Sequence, residues 1–77
     1  MKFRFIGSIL NPFGQVVERN WFAETTAQSP AKAKCNLTWR AKSESGSLAN
    51  GWQLDGILTS EEGEQFLVEL GKVRKKP

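Results

Sequence analysis

Residues 2–10, KFRFIGSIL, alternate along the chain: Phe3 and Phe5 fall on one face and Arg4 and Ile6 on the other. A repeat of two is the signature of a β-strand, because successive side chains there point to opposite sides of the sheet. Asn11-Pro12-Phe13-Gly14 follows as a turn, with proline suited to its second position and glycine to its last. Residues 15–27, QVVERNWFAETTA, are rich in β-branched and aromatic side chains and form a second strand. The polar Glu18-Arg19-Asn20 in its middle predicts a bulge or bend. The chain therefore opens with a β-hairpin, which needs a further layer to bury its apolar face.

That layer is supplied next. Ser29-Pro30 places a helix cap before a residue pre-set for the first helical turn, and AKAKCNLTWRAKSES continues as a helix that stops near Gly46. At 100° per residue Ala33, Leu37, Ala41 and the stem of Arg40 share one narrow stripe, suited to lying close on a sheet. Trp39 points nearly opposite, amid Lys32, Cys35 and Lys42, with Cys35 expected as a partly buried packing residue. Residues 47–51 read as a loop. In 52–59, WQLDGILT, alternation returns.

Segment 60–71, SEEGEQFLVELG, fits two structures. As a helix it has Ser60 as cap, acids in the first turn and Gly71 as terminator. As a strand, a turn at Glu61-Glu62-Gly63 pairs Leu58 with Phe66 and Leu54 with Leu70, and only Ile57 and Leu67 face away from the core. Gly63 favours the hairpin, since glycine inside a helix costs about 1 kcal/mol. The expected fold is α+β: two β-hairpins in one antiparallel sheet with a single helix on one face, β-β-α-β-β, the last element being a helix in the alternative. Residues 1–71 form the one domain and 72–77 a flexible basic tail.

With 77 residues there is room for one core, and three Trp and five Phe supply it. One cysteine, Cys35, allows no internal disulfide, and the absence of histidine leaves too few ligands for a structural zinc site. No apolar run has the length of a membrane helix or a signal-peptide core, so a cytoplasmic protein without membrane, metal or cofactor is expected. Catalysis is not expected either. The commonest general base is missing, Cys35 lies mid-helix without a base beside it, and Glu61, Glu62 and Glu64 lie on a solvated turn.

The net charge of +3 conceals a segregated pattern. Residues 1–43 hold Lys2, Arg4, Arg19, Lys32, Lys34, Arg40 and Lys42 against Glu18 and Glu24. Residues 44–71 hold Glu44, Asp55, Glu61, Glu62, Glu64 and Glu69 and no base, and the tail adds Lys72, Arg74, Lys75 and Lys76. If the two sets occupy different surfaces, the cationic one neutralises phosphates. If they face each other, they satisfy one another internally. The candidate nucleic-acid contacts are Lys32, Lys34, Arg40, Lys42, Lys72, Arg74, Lys75 and Lys76, with Arg4, Arg19 and Trp39 flanking them. Arg4, Arg19 and Trp21 are the candidates for the outer sheet face. The alternative partner is a protein, or a second copy, held at an exposed edge strand or by charge complementarity.

Two resemblances accompany these residues. Asn11 to Gly14, Trp21 to Ala27, and Lys32, Ala33, Asn36, Leu37 and Arg40 give a pattern that resembles small proteins carried by bacterial phages and integrative elements; it implies no mechanism. The strand followed by SPAKAK is similar to the last strand and helix of double-stranded RNA-binding domains, where a lysine-rich helix start grips phosphates. This implies phosphate contacts at Ser29, Lys32 and Lys34. The chain departs from that family in lacking an N-terminal helix and in continuing with strands after the helix.

Overall fold

The computed structural model of the chain describes residues 1–44 and 51–76. Its elements are β1 (Lys2–Leu10), β2 (Val16–Thr26), α1 (Pro30–Glu44), β3 (Gln53–Ser60), β4 (Gln65–Glu69) and β5 (Lys72–Lys75). The strands form one antiparallel sheet in the order β2-β1-β3-β4-β5, so α1 carries the chain over β1 to set β3 on its far side. The fold is α+β with a single helix on one face. The expected end of α1 near Gly46 and most of the expected 47–51 loop lie outside the described residues.

Local chemistry accounts for the turns. The Asn11 carboxamide oxygen accepts hydrogen bonds from the backbone N–H of Phe13 (2.9 Å) and Gln15 (3.0 Å), closing the first hairpin with Gly14 at φ 80°. Between Gly7 and Ile9, β2 runs from Trp21 back to Glu18, one residue more than β1 uses, and Asn20 takes φ 55°. This is the bulge that Glu18-Arg19-Asn20 predicts. In the β3–β4 turn, Ser60 is buried, its hydroxyl accepts from the Glu64 N–H (3.1 Å), and Gly63 sits at φ 90°. Leu58 pairs with Phe66, so segment 60–71 is a hairpin and not a helix.

Alternation then decides the core. Phe3, Phe5, Trp21, Ala23, Leu54, Leu58 and Val68 point toward α1, and Ala33, Leu37 and Ala41 meet them with no solvent exposure. The small stripe lets the helix come close, while the strand aromatics fill the volume. Phe5 and Trp21 pack with ring centroids 6.1 Å apart. Beside them Gly7 and Gly56 pair across β1 and β3, and the end of the Phe5 ring occupies the space a side chain would take at either.

Four expectations are corrected. Residues 72–75 are not a flexible tail but β5, paired with β4 from Glu69–Lys72 to Phe66–Lys75. The two-residue turn Leu70-Gly71 makes this pairing, with φ of 49° and 77°, the left-handed geometry that matches hairpin twist. For the same reason Leu70 is 60% exposed on the turn and does not pair inward with Leu54. Trp21 is buried, not on the outer face, because the bulge ends just before it and leaves its register with Gly7 intact. Cys35 is exposed, because it lies two residues from both Ala33 and Leu37 and so faces away from the buried stripe.

Candidate functional site

The sheet sorts the candidate cations onto two surfaces. Alternation from the buried Phe3, Phe5 and Val68 places Arg4, Lys72, Arg74 and Lys76 on the face turned away from α1. Carboxylates accompany them there. Arg4 Nε lies 3.5 Å from Glu24 and Lys2 Nζ 3.8 Å from the same side chain. Arg74 pairs with Glu69 at 2.7 Å, and Lys76 donates to the Gln65 carboxamide at 3.4 Å. Lys75, on the helix side of the sheet, pairs with Glu64 at 3.2 Å. Each of these pairs is solvated and contributes at most about 1 kcal/mol to stability. The ion pairs of Arg4, Arg74 and Lys75 matter more for the potential, since in each an acid cancels a cation. Arg19 is exposed on β2 at the bulge, apart from both groups.

The solvent side of α1 differs. Lys32, Lys34, Arg40 and Lys42 project from 15 residues whose only acid is Glu44. The Glu44 carboxylate is itself engaged, accepting from Trp21 Nε1 at 3.2 Å. Arg40 donates through Nη1 to the Glu24 carbonyl at 2.6 Å, which fastens the helix to the edge of β2 and leaves its other N–H groups outward. Lys32 and Lys34 form no ion pair among the described residues. Ser29 caps the helix through its hydroxyl, accepting from the Lys32 N–H at 3.2 Å.

Trp39 stands in this field, 65% exposed, with Lys42 Nζ 5.1 Å from its ring centroid. At that distance the ammonium is attracted to the indole face. Among the described residues, Lys34, Cys35, Thr38, Trp39 and Lys42 of α1 line a groove together with Gly51 and Trp52, just before β3. Trp52 belongs to this site and the sequence reading did not find it. Its signal was hidden, because Trp52 alternates with Leu54 as a core residue would, and the fold alone brings it beside α1.

The structure therefore brings Lys34, Trp39 and Lys42 together at one groove, sets Lys32 and Arg40 elsewhere on α1, and places Arg4, Lys72, Arg74 and Lys76 on the opposite face of the sheet. It also displays a second feature. Phe22, Ile6, Ile57 and Leu67 pair in succession across β2, β1, β3 and β4, forming an apolar row on the uncovered sheet face. Phe22 and Ile6 are more than half exposed. Comparison of the chain with protein-family models, with curated proteins and with solved structures finds no match in any of the three.

Proposed function

We propose that the protein is a non-catalytic nucleic-acid-binding accessory protein of the cytoplasm, contacting the phosphate backbone with little sequence specificity. One observation carries this. Helix α1 carries four cations against the single acid Glu44, and two of them, Lys34 and Lys42, line one groove with the exposed Trp39, while Arg4, Arg74 and Lys75 sit beside carboxylates. A polyanion gains most where cations are clustered and acids are absent, because each neutralised phosphate releases counterions. Lys32, Lys34 and Lys42 make the phosphate contacts, Arg40 adds its free N–H groups, and Trp39 supplies an aromatic surface. The resemblance to the lysine-rich helix of double-stranded RNA-binding domains points to Lys32 and Lys34 as well. Binding to short DNA and RNA, followed by anisotropy at about 50 and 200 mM salt, tests the proposal. Affinity should fall by about tenfold or more between the two, as expected for a few phosphate contacts. No binding at the lower salt would refute it.

A second role, self-association, is supported by the uncovered sheet face. Its apolar row is bordered by Arg4 with Glu24 on one side and by Arg74 with Glu69 on the other. A border of both signs offers a polyanion little net attraction, whereas a second copy of this chain brings a matching apolar row and opposite charges. The free edge of β5 carries Lys72, Arg74 and Lys75, which guard it against strand addition. Association through the face is therefore favoured over association through the β5 edge. Sizing at about 1 and 100 μM distinguishes a monomer from this dimer.

A further inference from the structure

The groove beside Trp39 has a shape that phosphate binding does not require. It is an open depression of about 280 Å³, just below the ~300–1,000 Å³ of drug-sized ligand sites and of a size for one planar ring system. Its two walls are unlike. Trp52 is half-buried and packs against the core, so it is held in place by the sheet. Trp39 is largely exposed on the helix side, with the Lys42 ammonium over its ring. The ammonium groups of Lys34 and Lys42 share the same lining. Two indoles with two cations in one concavity match a flat aromatic group attached to an anion. A base within a duplex is stacked on both faces and is not available to such a groove, whereas an unpaired base is.

We infer that this groove receives an unpaired nucleobase beside Trp39 and Trp52, with Lys34 and Lys42 on the adjoining phosphates, so that the protein prefers single strands. The inference rests on the proposed phosphate-binding role of α1. The bases of a single strand add stacking to the electrostatic attraction that any phosphate backbone receives.

Three probes of equal length separate the two ideas: a labelled eight-nucleotide thymidine strand, the same backbone with abasic residues throughout, and an eight-base-pair duplex. Anisotropy at about 50 mM salt should show the thymidine strand binding about tenfold or more tighter than the abasic strand, and tighter than the duplex. Trp39→Ala, checked for folding by circular dichroism, should shrink that preference to less than about threefold. Trp52→Phe, which keeps an aromatic wall, should retain most of it. Equal, salt-sensitive affinity for all three probes would overturn base insertion and leave phosphate binding standing. Tighter binding of the duplex, or an unchanged preference in Trp39→Ala, would likewise overturn it. Failure to bind any probe would overturn the phosphate-binding role itself.

Discussion

Gly7→Ala tests whether the centre of the sheet is packed as described. Gly7 pairs with Gly56, and neither has a side chain to displace. A Cβ built at residue 7 would stand 2.7 Å from Gly56 Cα and 2.8 Å from Phe5 Cζ, and closer still to the Asp55 carbonyl oxygen. Two of these three neighbours are backbone atoms of β3, so relief requires β1 and β3 to part where they are paired. Overpacking of this kind costs about 1–3 kcal/mol, partly offset by the ~0.4–1 kcal/mol gained as alanine restricts the unfolded chain. A net loss of about 1.3 kcal/mol is expected from a total of roughly 4–12 kcal/mol. At a slope of ~1 kcal/mol per molar urea, the unfolding midpoint should fall by about 1.3 M. Urea titration followed by tryptophan fluorescence measures it, because Trp21 is buried against Phe5. A Gly7→Ala protein as stable as the parent, or more so, would mean that only the unfolded state had changed and that residue 7 has room. The packing of Phe5 over the glycine pair would then be wrong.

Three further perturbations have definite outcomes. Leu37→Ala removes the one large side chain from the buried stripe of α1, and should cost about 2–4 kcal/mol in the same urea assay. Glu24→Gln dissolves the exposed pairs with Lys2 and Arg4, and should change stability by less than about 0.5 kcal/mol, in keeping with solvated ion pairs. Phe22→Lys places a charge in the apolar row of the open sheet face, where the parent side chain is 57% exposed. It should leave the melting temperature within a few degrees and abolish any concentration-dependent dimer seen by sedimentation or light scattering.

The legible parts of the fold were those in which neighbouring residues carry the signal. Strand β1 follows from strict alternation, the start of α1 from Ser29-Pro30, and its buried face from the spacing of Ala33, Leu37 and Ala41. The β3–β4 pairing was readable because Glu61-Glu62-Gly63 fixes the register that brings Leu58 opposite Phe66. β5 escaped because Lys72–Lys75 is short and mostly cationic, and its turn, Leu70-Gly71, lacks the Asn-Gly or Asp-Gly signal of such hairpins. Once Glu69 and Lys72 are paired, that basic stretch becomes an edge strand with Val73 inward against Val68. The outer row was hidden by the bulge, since Phe22 faces Ile6 only in a register that local residues do not specify. The site was half legible for the same reason. Trp39 and Lys42 share a helix face that spacing reveals, whereas Lys34 on its flank and Trp52 join them only at the groove that the crossover from β2 over β1 to β3 creates.

Where the phosphates lie is decided most directly by comparing two charge reversals in one binding assay. Lys34→Glu with Lys42→Glu alters the outer side of α1, and Arg74→Glu with Lys76→Glu alters the open sheet face by the same total charge. Affinity for a short single strand should be measured between about 50 and 200 mM salt, and the slope of log affinity against log salt compared. The helix pair should weaken binding at low salt by tenfold or more and flatten the slope by about 1.4, two contacts at ~0.7 each. The sheet pair should lower affinity only modestly and keep the parent slope within about 0.5. The opposite ranking, or equal losses from both pairs, would contradict a binding surface on α1.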